Sequence, residues 1–150
     1  NQKTTLWSAA LDNTEVKKYP DRELNHYIEF NSDQLDQTAK QYGVSREDML
    51  KQYDLDDEDE FNAVNEDSSK LRVKQEMLIQ YIADKENLSY TDKEKEALIK
   101  SFEAQGYDAD AIEQQTGRTL EDYVHIELLY EKVLDFLLDN ANITGAPTTE

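Results

Sequence analysis

Residues with the makings of catalysis are sparse in this chain. His26 and His125 stand far apart, and neither has a metal-ligand partner at i+3 or i+4 beyond common carboxylates. The composition includes 0 Cys, which excludes both a thiol nucleophile and a disulfide framework. Neither a Gly-rich phosphate loop nor a G-x-S-x-G elbow occurs. Carboxylates abound, 34 against 16 Lys and Arg, but no pair is set in an apolar cleft where two pKa values could part. The densest acidic run, Asp54–Glu60, fails the EF-hand pattern because Asp59 holds its Gly position and Asn65 its closing Glu position. It reads instead as a solvated turn leading into a helix N-terminus. His125 falls on the polar side of its helix, where a solvent or interface role is expected. No cofactor and no catalytic residue is expected in this segment.

The remaining signal is aromatic: 9 Tyr, 4 Phe and 1 Trp. Phe30, Tyr42, Phe61, Phe102 and Tyr107, with Met49, fall in segments that read as slender helical hairpins. Either they glue each hairpin together, or the hairpins are too thin to hide them. In the second case they form semi-exposed, adaptable contacts for another polypeptide.

Those residues need elements to hold them, and the pattern predicts an all-α chain. Only 4 Gly and 2 Pro occur, as long helices require and a sandwich or barrel does not. The organising stretch is Leu120–Ile143. Ile126, Leu129, Tyr130, Val133, Phe136 and Leu137 share one side of it at helical spacing. Val124, Leu128 and Leu138 intrude on its polar side, so it should touch two or three neighbours at once. Earlier helices are expected over 3–13, 21–42 and 61–87, with short ones after Ser45 and over 109–115. Pro20 marks one start, Thr91 to Glu94 resembles a capping box, Gly43, Gly106 and Gly117 are stops, and Thr119 caps the last helix.

A phrase also recurs: Leu6–Asp21 and Met77–Asp92 each run from an apolar helix through Asn and Tyr to an acidic helix start. Each is followed by a striped helix, a Gly, a short helix and a long helix. The expected organisation is a body from 3–13, 71–87 and 119–143, arms over 20–70 and 91–118, and a frayed tail at 144–150.

Bulk properties agree. The 150 residues suit one domain, and 37% hydrophobic content with a mean hydropathy of −0.90 implies a thin core. A net charge of −18 disfavours nucleic acid and anionic membrane surfaces. No apolar run approaches the ~18 residues needed to span a bilayer, so no membrane insertion is expected. The first residue is Asn rather than Met, so the chain reads as a piece of a longer protein whose targeting signal would lie upstream.

VKQEMLIQYIADKENLSYTDKEKEALI, residues 73–99, resembles the C-terminal domain of bacterial trigger factor, whose phrase there is Ile-Ala-x-x-Glu-Asn followed by a Thr-Asp-x-Glu helix start. Tyr130–Leu137 resembles that family's closing helix, and Tyr42-Gly43-Val44-Ser45 with Glu47 its turn between arm helices. Val16 to Pro20 departs from the family's adjacent Val-Pro. The resemblance implies an all-α body with two helical-hairpin arms, similar to SurA-type chaperones, that cradles unfolded or nascent polypeptide without ATP. Phe30, Tyr42, Met49, Phe61, Phe102 and Tyr107 would be the client-facing residues. The family's ribosome-docking and FKBP-like isomerase motifs do not occur here, so ribosome contact would come only through a domain outside these residues. The alternatives are a substrate-positioning unit of a larger prolyl isomerase and a structural adaptor pairing with one partner or with itself as a homodimer. The compartment would be bacterial cytoplasm, or the cell envelope if the parent carries a signal.

Overall fold

Capping chemistry sets the helix ends. The computed structural model describes residues 1–141, and the regular elements among them are seven α-helices. They are α1 (Gln2–Asp12), α2 (Asp21–Tyr42), α3 (Arg46–Gln52), α4 (Glu58–Lys85), α5 (Asp92–Ala104), α6 (Ala109–Thr116) and α7 (Leu120–Asn140). Pro20 holds extended backbone before α2, and Asp21 and Glu23 lie in the positive first turn. Gly43, at φ 66°, ends α2 in the left-handed region. Ser45 accepts the Asp48 N–H to open α3, and Asp57 accepts the Glu60 N–H to open α4. Thr91 and Glu94 form a full capping box, and Thr119 caps α7. The acidic run therefore is a loop and a helix start, as its charge suggests. The tail expected to fray, 144–150, lies outside the described residues, as does the end of the stretch to Ile143.

Packing follows from α7, which contacts α1, α4, α5 and α6, one neighbour more than its wide stripe suggested. Trp7, Leu11, Leu78, Ile79, Ala83, Leu129 and Val133 form its core cluster with α1 and α4. Val124 and Val133 are both at 0% exposure, and at ~1.5–3 kcal/mol for each fully buried aliphatic side chain they anchor two faces of one helix. α1 runs antiparallel to α7, since Lys3 pairs with Asp135 and Trp7 meets the Tyr130 ring edge-on at 5.1 Å. α4 runs parallel to α7: Arg72 reaches the Thr116 carbonyl just before α7, and Gln80 reaches His125 one turn inside it.

A second cluster, Leu35, Ala39, Met49 and Leu50, lies among α2, α3 and the start of α4, with Val44, Leu55 and Phe61 against it. A polar seam joins α2 to α4 next to it. Asn31 donates to Asn65 Oδ1 (2.8 Å) and Ser69 Oγ (3.2 Å), while Asn65 Nδ2 donates to the Ile28 carbonyl (2.9 Å). Asn65 and Ser69 are buried, at 3% and 1% exposure, so these bonds satisfy groups that would otherwise be costly.

The long–short–long order of α2–α3–α4 returns as α5–α6–α7, as the repeated phrase predicts. The packing differs: α3 lies on α2 and α4, whereas α5 and α6 each lie on α7. Phe102 of α5 faces Tyr123, and Lys132 donates to Glu94 at 2.5 Å.

Candidate functional site

The α6–α7 corner, Thr116-Gly117-Arg118-Thr119, is where the two repeats meet. α6 ends at Gly117 (φ 72°), leaving the carbonyls of its last turn without helical donors. Side chains from the other repeat supply them. Gln34 Nε2 donates to the Gln114 carbonyl at 2.9 Å, Arg72 donates to that of Thr116, and His26 Nε2 faces that of Gly117. The Phe30 ring rests on Gly117 so closely that a Cβ there would lie 2.9 Å from it.

Arg118 then turns inward and is 9% exposed. It forms an ion pair with Glu76 of α4, whose Oε1 has no conventional hydrogen-bond partner and is met by this contact instead. Arg72 Nε lies 3.4 Å from the same Glu76 oxygen, and the Tyr27 hydroxyl donates to Oε2 at 3.3 Å. The Arg72 guanidinium stacks 3.9 Å over the Tyr27 ring. Burial pulls both guanidinium pKa values below the ordinary arginine value, since desolvation outweighs the compensating tyrosines. Both stay charged, and one carboxylate serves two cations.

Cavities flank this network on either side. One, of about 510 Å³, is lined by Arg22, His26, Glu113, Asp122 and His125 as well as the Arg118–Glu76 pair. The other, of about 300 Å³, lies between α4 and α7 with walls from Trp7, Ile79, Tyr123, Ile126 and Tyr130. Glu127 also lines it, and burial pushes its carboxyl above the usual range. Among the described residues no group of His, Cys, Asp and Glu is arranged to hold a metal ion.

His125 is more tightly held than its place on a polar stripe suggested. Its Nδ1 lies 2.7 Å from the Tyr90 hydroxyl and its Nε2 3.0 Å from Gln80 Oε1, both at hydrogen-bond distance, so the ring ties the loop before α5 to α4 and α7.

The six residues expected to face a client are spread over the molecule. Tyr42 is 69% exposed and Tyr107 38%. Phe30 is half-buried against Gly117, and Phe102 is half-buried beside Tyr123 with ring centroids 5.7 Å apart. Phe61 is half-buried, with the Arg46 guanidinium 5.1 Å over its ring. Met49 is a correction: at 2% exposure it is sealed between α2 and α4, because α3 turns its apolar face wholly inward. Tyr53, Val64, Leu71, Met77 and Tyr81 are exposed as well and lie outside the six. Their surplus over a single helical stripe was the available signal. Arg72, Glu76 and Arg118 were also missed, although three charged residues flanking apolar stretches were visible.

Comparison with known proteins agrees with this architecture. Residues 1–139 match the family model described as the bacterial trigger factor protein C-terminus. The trigger factor of Bacillus licheniformis is 31% identical over 108 residues, covering 71% of this chain and 25% of the relative. That of Bacillus mycoides is 29% identical over 109 residues, covering 72% and 25%. The chain thus spans about a quarter of the length of these curated relatives. No solved structure matches.

Proposed function

The chain belongs to the bacterial trigger factor C-terminus family, a chaperone-type family, and from that premise we propose that it is a holdase module for unfolded or nascent polypeptide. In this reading residues 20–70 and 91–118 are the arms and 3–13, 71–87 and 119–143 the body. Binding exchanges hydration of a client's apolar segment for scattered aromatic and aliphatic contacts, at ~25 cal/mol per Å² before ordering costs, and needs no nucleotide.

The observation that carries the proposal is the dispersal of large exposed apolar side chains. Tyr42 ends α2, Tyr53 follows α3, Val64, Leu71, Met77 and Tyr81 run along α4, and Tyr107 follows α5. Many separate weak contacts grip a chain of no fixed shape and release it quickly. Phe30, Phe61 and Phe102 add half-buried edges to that surface, and Met49 drops out.

The test is suppression of aggregation of a chemically unfolded client. Tyr42→Ser with Tyr107→Ser should weaken it roughly fivefold per tyrosine, at about 1 kcal/mol each, without loss of helix content. Unchanged suppression, in this variant and in Phe30→Ala with Phe102→Ala, would reject these surfaces.

A further inference from the structure

We propose that the cavity between α4 and α7 is a carboxylate site that receives the C-terminal residue of a polypeptide. It deepens the holdase reading and takes its ligand class from it. Its walls are two matched stripes: Arg72, Gln75, Glu76 and Ile79 on α4, and Tyr123, Ile126, Glu127 and Tyr130 on α7. Each stripe has i, i+3, i+4, i+7 spacing, which is one face of a helix. Because the helices run parallel, Arg72 and Tyr123 share one end of the cavity with Arg118. Ile79 and Tyr130 share the other, where Trp7 of α1 also lines the cavity and meets the Tyr130 ring edge-on.

The cationic end has more donors than the protein uses. A guanidinium carries five N–H groups. Among the described residues Arg118 meets Glu76, and Arg72 meets Glu76 and the Thr116 carbonyl. A half-buried and a buried cation therefore share one carboxylate and one carbonyl, an arrangement that a second carboxylate would complete by paired N–H···O⁻ bonds. The setting is unusual in a chain of net charge −18, where most of the surface repels anions. Glu127 is the competing charge on the same wall, and burial pushes its carboxyl above the usual range.

Size and lining select the ligand. Seven residues of helix rise about 10 Å, and about 300 Å³ is at the small end of ligand pockets. An extended chain passing through would run into Trp7 beside the Tyr130 ring at the apolar end. A terminal residue needs no such passage: its carboxylate meets Arg72 and Arg118, and its apolar side chain lies against Trp7, Ile79 and Tyr130.

Trp7 is the single tryptophan, so its fluorescence reports occupancy directly. A short tryptophan-free peptide ending in leucine would be titrated as the free acid, as the terminal amide, and as an amide carrying an internal Glu. The free acid should perturb Trp7 and bind at least tenfold more tightly than either amide, with the advantage shrinking in salt. Arg72→Gln should erase the difference while leaving helix content intact. Equal binding of acid and plain amide, or binding of the internal-Glu amide as tight as that of the acid, overturns the proposal. Because the acid–amide contrast uses the unmodified protein, it decides even if the variant fails to fold. Aggregation suppression measured alongside separates the two readings: normal suppression with no acid preference rejects only this site.

Discussion

Replacing Gly117 by alanine tests whether the α6–α7 corner is seated on α2. The residue has φ +72°, and a Cβ there would lie 2.9, 3.0 and 3.1 Å from Cγ, Cδ2 and Cδ1 of Phe30. Two costs add. An L side chain in the left-handed region costs ~1–2 kcal/mol. Moving a packed ring off its rotamer costs a further ~0.5–1.5 kcal/mol. The sum is roughly 2–3 kcal/mol, and Gly43→Ala is the control. Gly43 has φ +66° with nothing within 4 Å of its would-be Cβ, so only the backbone cost applies. Urea unfolding followed by circular dichroism should give both variants an unchanged slope and lowered midpoints, with Gly117→Ala less stable than Gly43→Ala by about 1 kcal/mol. In a Phe30→Ala background that gap should close. Equal destabilisation by the two substitutions would refute the contact. A harmless Gly117→Ala would refute the left-handed corner itself.

Arg118→Met leaves the half-buried Glu76 carboxylate with only Arg72 and the Tyr27 hydroxyl and should cost about 1–3 kcal/mol in urea unfolding, whereas Arg118→Met with Glu76→Leu should recover most of it. A double variant no better than the single one would show that the pair is not coupled. Hydrogen bonds from Lys132, then from the backbone and side chain of Thr91, hold the Glu94 carboxyl at about 2, below its ordinary 4.5. That depressed pKa means its stabilisation is present above 4.5 and lost as pH falls towards 2. The melting temperature of Glu94→Gln should therefore fall less steeply than wild type across this window, and parallel curves would exclude the linkage.

Helix ends were legible because their causes are local. Pro20, Ser45, Thr91, Thr119, Gly43 and Gly117 each act through their own backbone or a neighbour three residues away. The breadth of the α7 stripe likewise announced a helix buried on more than one side. The site was less legible because its parts are far apart in sequence. Arg72 and Arg118 are 46 positions apart, and only the parallel packing of α4 on α7 brings both to Glu76. Met49 shows the converse limit. A methionine in a thin hairpin reads as adaptable surface, but the short helix that carries it has a single face to bury and buries it. Arginine usage was the missed clue, since Arg46, Arg72 and Arg118 all lie in paired, half-buried or buried positions.

The polar seam between α2 and α4 has a mechanical consequence. A slide of one helical turn would break the bonds that Asn31 and Asn65 Nδ2 make across the seam, at about 1–3 kcal/mol for each buried group left unmet, while Ser69 would keep its bond to Asn65 on the same helix. Greasy ridges could slip past one another; this seam works like a ratchet pawl. Arg46, clamped to Asp36 and Glu58, bolts the same beam farther out. These bonds fix the register of α2 against its neighbours from Arg46 back to Tyr27, which lies beneath Arg72.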